Sequence, residues 1–291
     1  MLPNITDLKK IARGRSSFLR AAESGLMART ATMERKLNAY VNSIFIPSLQ
    51  IRNNKVINTS ANLKKINKAS GLKRFIKTVV NEYLFSYYEK QFTGINKHSN
   101  KYYSSFEPPL AAQKRIIDRG QTITNGFVDE LFDNNEVVRG LQQTIRNGII
   151  TETRTTDLST LLTDQIKGKN EKLGSLSSYH YKNGFDEFQG YSRSLDEQFS
   201  KELNLNYAYY AGGKINTTRL FCDERSGNIY NRETILSWNH TPADWQGRKE
   251  NNNILLDMGG WNCRHDFDWV SWQLARRVDP NMERSKFDKI Q

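Results

Sequence analysis

The chain has 291 residues, 43 Lys+Arg against 31 Asp+Glu and a formal net charge of +12, with 37% hydrophobic and 25% charged residues. That length provides for one or two domains with a real core, and no run approaches the roughly 18–20 apolar residues of a membrane-spanning helix, so no transmembrane anchor is expected. The opening MLPNITDLKK carries no apolar stretch behind its basic residues, so no secretory signal is expected, and two cysteines, Cys222 and Cys263, are too few for a disulfide scaffold and suit a reducing compartment.

The charge is unevenly divided. Residues 1–120 hold 22 Lys+Arg and 7 Asp+Glu, a net of +15, whereas residues 121–291 hold 21 and 24, a net of −3. Such asymmetry points to a polyanionic partner for the first part, either nucleic acid, which releases counterions on meeting clustered Lys and Arg, or an acidic protein surface. A merely solvated basic face is the plain alternative.

Along the chain, Leu19, Ala22, Leu26, Met33, Leu37, Tyr40 and Ile44 predict a long amphipathic helix stopped before Pro47. Residues 50–62, rich in Asn, Ser and Thr, read as a loop. A second helix is expected from Leu63 to Phe92, with Leu72, Ile76, Val79, Val80, Tyr83, Leu84 and Tyr87 as its apolar stripe. Lys64, Lys65, Lys68, Lys73, Arg74 and Lys77 crowd its first half and are the candidate DNA-binding residues. Residues 93–109 carry turn formers and a Pro pair and read as a loop. Ile116, Ile123, Phe127 and Leu131 mark a further helix, and a turn at Asp133–Asn135 separates it from Val138, Leu141 and Ile145.

The texture changes near residue 170. Tyr181, Phe185, Phe188, Leu195, Phe199 and Leu203 predict another helix, and the alternation of Leu205, Tyr207 and Tyr209 predicts a half-buried strand ending at a Gly pair. Trp238, Trp245, Trp261 and Trp269 cluster in a Gly- and Asn-rich stretch, more in keeping with a small domain's core than with base stacking. The fold class is therefore α+β. A mostly helical, strongly basic region (1–165) is followed by a compact small α+β domain (166–280) and a tail (281–291).

Candidate chemistry gathers in three strings: TTRLFCDERSGNIY (217–230), SWNHTPADWQG (237–247) and GGWNCRHDFDWVS (259–271). In the last, Asn262 and Asp266 are suited to bonding neighbouring amides in a turn, and in an extended segment Cys263 and His265 face the same way. With Cys222, and with His240 as a fourth ligand, they have the composition of a Cys₂His₂ zinc site but not the spacing of a zinc finger. A disulfide, or two cysteines acting as small buried hydrophobes beside a bonded histidine, fit the same residues. No phosphate loop, nucleophile elbow or zinc-deaminase signature is present. Catalysis would require a metal-dependent nuclease built from His240, His265, Asp266 and Asp268.

Read together, Tyr209-Tyr210-Ala211-Gly212, Thr218-Arg219-Leu220-Phe221-Cys222, Gly227 and Tyr230 before a short helix, and the closing GGWNCRH resemble the C-terminal domain of phage minor head proteins, the Mu F-like head morphogenesis family. The likeness covers roughly residues 180–275 and lies in the order and spacing of the boxes; the first 170 residues share only a helical, basic character. In the helix NRETILSW, Asn231 is placed as the N-cap and Glu233 in the first turn. DFDWVSW departs from the apolar strand and proline of many relatives. The resemblance implies a non-enzymatic virion structural protein of few copies, in the head interior or at the portal vertex and in the host cytoplasm during assembly. Its partners would be portal or capsid proteins and packaged DNA, with no cofactor and no membrane, and Cys222, Cys263 and His265 would serve as closing-box residues. The alternatives are a metal-dependent nucleic-acid-processing enzyme using His240, Cys263 and His265, and a stand-alone DNA-binding module built on the Leu63–Phe92 helix.

Overall fold

Leu8, Ala12, Arg15, Leu19, Ala22, Leu26, Thr30, Met33 and Leu37 recur every three or four residues, and all are buried. In the computed structural model they form the inward side of a single helix, α1 (Ile5–Tyr40), which starts well before the stripe expected from Leu19 and runs through Gly14 and Gly25. A π-turn (Val41–Phe45) and a short 3-10 turn with Pro47 inside it end the run. The structure describes residues 3–67, 86–108, 136–170, 172–240 and 245–288, together with positions 78, 84, 111, 112, 114, 115 and 118.

The described elements confirm an α+β chain of long helices and small sheets. After α1 come β1 (Ile51–Arg52), β2 (Lys55–Val56), α2 (Ser60–Asn67), α3 (Ser86–Ser104), α4 (Glu136–Ile150), α5 (Thr155–Lys167), β3 (Gly168–Lys169), β4 (Lys172–Leu173) and α6 (Ser175–Glu202). They are followed by β5 (Tyr207–Ala211), α7 (Leu220–Arg225), β6 (Ile229–Asn231), α8 (Arg232–Ser237), α9 (Ile254–Asp257), β7 (Asp266–Val270) and α10 (Trp272–Val278). Among the described residues no helix is long and apolar enough to cross a membrane.

The chain divides into two compact units assembled from separated stretches: Met1–Ala22, Gln91–Phe127 and Phe185–Gln291 form one, Glu23–Lys90 and Val128–Gly184 the other. The expected cut after residue 165 falls inside α5, and α1, α3 and α6 each contribute residues to both units.

Two local predictions are corrected. The expected loop 50–62 contains a β1–β2 hairpin whose central residues, Asn53 and Asn54, have φ of 50° and 58°, the left-handed pair that a tight hairpin turn requires, and α2 begins at Ser60. The expected loop 93–109 is helical to Ser104, because Phe92, Ile95, Ser99 and Tyr102 continue a buried stripe and packing overrides a composition of turn formers. Leu72, Ile76, Val79, Val80 and Tyr83 of the second expected stripe, and Ile116, Ile123, Phe127 and Leu131 of the next, lie outside the described residues.

In the second unit, Leu141, Ile145 and Ile149 of α4 and Leu158, Leu162 and Ile166 of α5 are all buried. Gly148 permits this approach, since a Cβ there would lie 2.7 Å from Leu158 Cδ1. The buried Glu34 accepts a hydrogen bond from the Ser177 amide (2.8 Å), and burial pushes its carboxyl pKa up.

The first unit is organised around the three-stranded antiparallel sheet β6-β5-β7. Tyr207, Tyr209 and Ala211 stand opposite Val270, Asp268 and Asp266 on one face, while Ala208 and Tyr210 stand opposite Trp269 and Phe267 on the other. The expected strand is present, but Ala208 and Tyr210 are buried as fully as Tyr207, whereas Tyr209 is half-exposed. Asp266, expected in a turn, is the first residue of β7, a strand buried along its whole length. Residues 281–288, expected as a tail, are tied in: Asp288 accepts from Asn206 and Tyr207, and the Ser285 hydroxyl donates to Glu233.

β7 is an edge strand, yet side chains rather than another strand cover it. The Tyr102 hydroxyl donates to the Trp269 carbonyl (3.0 Å), and Gln189 and Arg193 of α6 donate to the His265 carbonyl (3.4 and 2.8 Å). Beside this edge lies a buried charge cluster. Arg15 donates to both oxygens of Asp196 (2.6 Å each) and to Asp268 (3.2 Å), and Asp266 accepts from Gln189 (3.0 Å) with the Arg193 guanidinium at 3.6 Å. Burial works against the charge of Arg15, but Asp196, Asp266 and Asp268 outweigh it and raise its pKa.

Burial lifts the pKa of the two carboxylic acids that Arg15 bonds, against the pull of its guanidinium. Asp268, with one oxygen on Arg15, is pushed up to about 7, and Asp196, with both oxygens engaged, to about 6. A carboxyl whose pKa rises on folding holds its proton more tightly in the folded chain, so its contribution falls as pH rises from about 4 to about 7 and is flat outside that window. Urea unfolding between about pH 5 and 8 is therefore expected to show stability declining toward neutrality, with a visibly smaller decline in Asp268→Asn. Equal slopes in the two proteins would refute this assignment.

Candidate functional site

The boxes noted in the sequence converge behind the second face of the sheet. Thr218-Arg219 leads into the short helix α7, which carries Phe221 and Cys222 inward. The chain then turns through Gly227 into β6, and the Asn231 side chain accepts from the Thr234 amide (2.9 Å), capping α8 as the sequence predicts. Tyr210 of β5 lies against Phe267 (ring centroids 5.5 Å apart), Trp238 (6.1 Å) and His265 (5.3 Å). Phe221 stacks on Trp245 at 4.2 Å, and the Arg225 guanidinium lies 4.0 Å from the Phe221 ring and 4.8 Å from that of Trp238. Trp238 and Trp269 are core residues as expected, whereas Trp261 is 48% exposed.

At the centre are Cys222, Cys263 and His265, all buried, with one donor atom of each inside a 4.8 Å span. The sulfurs are 3.8 Å apart, Cys263 Sγ lies 3.9 Å from His265 Nδ1, and the Tyr210 hydroxyl donates to Cys222 Sγ at 3.3 Å. Both thiols are free. The hydrogen bond between the two thiols raises the Cys222 pKa, an effect burial reinforces. The same bond holds Cys263 below the ordinary thiol range against its own desolvation, helped by His265 and Arg193. Burial pushes the Tyr210 hydroxyl well up, so it stays a donor.

Two close approaches build this centre. A Cβ on Gly259 would lie 2.2 Å from Cys222 Sγ, and one on Gly212 would lie 2.2 Å from His265 Cδ2, so each glycine lets backbone reach a ligand-type side chain. Two arginines then lock the closing box. Arg219 of the first box donates to the carbonyls of Gly259 (3.2 Å) and Trp261 (2.6 Å). Arg193 of α6 donates to Leu256 (2.8 Å), Cys263 (2.6 Å) and His265 (2.8 Å), and Asp186 accepts from the Asn262 amide (2.9 Å).

Among the described residues the Cys-Cys-His set has no fourth Cys, His, Asp or Glu beside it. His240, proposed as the missing ligand, is exposed and outside the group. The sulfur separation suits two thiolates on one zinc ion, whose Zn–S bonds are about 2.3 Å long, but the donor set is one protein ligand short of a closed structural site. The nuclease constellation is not assembled, because Asp266 and Asp268 are engaged by Gln189, Arg193 and Arg15 while His265 packs on Tyr210 with Cys263.

Of the proposed DNA-binding residues, Lys64 is exposed in α2 and Lys65 donates to the Ser48 carbonyl; Lys68, Lys73, Arg74 and Lys77 lie outside the described residues. Sequence reasoning missed Arg15, Gln189, Arg193 and Asp196. Their signal was available as charged or amide residues in otherwise apolar helical phase, Arg15 between Ala12 and Leu19, and Gln189, Arg193 and Asp196 at i, i+4 and i+7.

No protein-family model, curated protein or solved structure matches this chain. The likeness to the head morphogenesis family thus rests on the boxes themselves.

A methyl group at position 259 has nowhere to go except into Cys222. Gly259→Ala is expected to destabilise the chain by about 1–3 kcal/mol, as overpacking does. Adding Cys222→Ala opens the space and is expected to recover at least about half of that loss in a thermal-melt double-mutant cycle. Additive losses would show that the two positions do not share this contact.

Proposed function

We propose that this protein is a phage virion structural component, a minor head protein of the head interior or portal vertex that contacts packaged DNA during assembly or ejection. The observation that carries the reading is the interlock of the boxes. The residues by which the chain resembles the family are joined through Arg219, Cys222, Cys263 and Arg193 into one buried closure. In this reading Cys222, Cys263 and His265 are its packed centre, with no turnover and no cofactor. The strongly basic first 120 residues, at a net of +15, supply the surface that meets DNA. Portal or capsid proteins are the remaining partners, and the protein passes through the host cytoplasm before packaging.

Mass spectrometry of purified particles made by the genome that encodes this chain tests the proposal. The protein is expected in full particles at few copies each, and its loss after genome ejection would place it with the DNA. Its absence from particles would overturn the reading and shift weight to a nucleic-acid-processing or free DNA-binding role.

A further inference from the structure

One face of α1 in the first unit borders a cleft of ≈ 490 Å³ that the sequence reading does not include. Lys9, Arg13, Ser16 and Arg20, at i, i+4, i+7 and i+11, line it along the helix, and Arg264 with Gly213 of the chain after β5 line the opposite wall. Four cationic side chains thus share one concavity. Lys9 lies over the Tyr209 ring (4.3 Å), Arg264 over the Phe185 ring (4.2 Å), and Arg20 bonds the Ser17 hydroxyl (3.3 Å). Among the described residues neither Lys9, Arg13 nor Arg20 forms a salt bridge with a carboxylate. The carboxylate that lines the cleft, Asp268, is bonded by Arg15 (3.2 Å) and also feels the charge of Lys9.

Four cations gathered around one concavity, against the single carboxylate of Asp268, repel one another and focus a positive potential, and an anion relieves both effects. The shape of the array selects the kind of anion. From Lys9 to Arg20 the helix advances about 16 Å, a length over which one DNA strand presents about five phosphates. The Tyr209 ring is covered by Lys9, so stacking on a base is not offered there, and the contacts available are charges and hydroxyls suited to phosphate oxygens.

We infer that this cleft binds the phosphodiester backbone of DNA without regard to sequence. The inference rests on the proposed function only for the presence of DNA, and it fails on binding, whereas that reading fails on particle composition.

The test is fluorescence anisotropy of the full chain with a labelled duplex of about 20 base pairs and a single strand of the same length, at about 50 and 200 mM salt. Arg13→Glu with Arg20→Glu is expected to weaken binding at least about tenfold and to flatten the dependence of log K on log salt by about two. The control pair Lys167→Glu with Lys172→Glu, exposed positions at the end of α5 and in the β3–β4 hairpin of the other unit, is expected to stay within about twofold of wild type. Equal losses in both double variants, an unchanged affinity in the first, or no binding by the wild-type chain would overturn the assignment. Preference for the single strand or the duplex identifies which form of the backbone the cleft accepts.

Discussion

Arg15 reaches both oxygens of Asp196 and one of Asp268 from within the apolar stripe of a helix, and the first unit is arranged around that contact. A buried guanidinium is tolerable only where carboxylates meet it with good geometry, and those carboxylates in turn are tolerable only because the guanidinium is there. This mutual need joins elements far apart in the chain: α1 through Arg15, α6 through Asp196, and β7 through Asp268. Tyr102 and Tyr103 of α3 close the surroundings, the first bonding the Trp269 carbonyl and the second lying 3.4 Å from that of Asp196. Such a cluster adds little net stability over an apolar one, but it penalises any register that separates its members.

β7 shows why both sides of the sheet matter. Its aspartates enter the ion cluster on one face while Phe267 and Trp269 enter the aromatic core on the other, and the His265 carbonyl just before it is held by Gln189 and Arg193. Arg193 therefore serves two purposes, lying beside Asp266 and fixing the backbone of the closing box on which the thiols and the imidazole stand. The Cys-Cys-His centre is positioned by a charge network as much as by its own packing. In the reading advanced here that makes it a structural keystone of the virion protein, with the basic cleft along α1 as the surface that faces DNA.

What was legible in the sequence was local. Asn231 announces its helix because a cap bonds an amide three residues away, and the helix carrying Phe185, Phe188, Leu195 and Phe199 shows its period within a few turns. Cys263 and His265 approach each other as their two-residue spacing suggests. What was not legible depends on partners distant in the chain. Residues 93–104 have the composition of a loop and are helical because Phe92, Ile95 and Tyr102 find a core, and Asp266 reads as a turn residue until Gln189 is placed beside it. Arg15 stood in view as a charged residue in an apolar phase, but nothing local says that its partners lie 181 and 253 residues onward.

Hydrogen exchange on the full chain carrying Arg15→Met tests the central claim most directly. If the Arg15 cluster holds the sheet, amides of β7 and of the closing box lose protection by several kcal/mol, on the order of the 3–5 kcal/mol lost when a buried charge is left unpaired, while α4 and α5 of the other unit keep theirs. Unchanged protection across 263–270 would show that apolar packing alone holds β7 and would contradict the account.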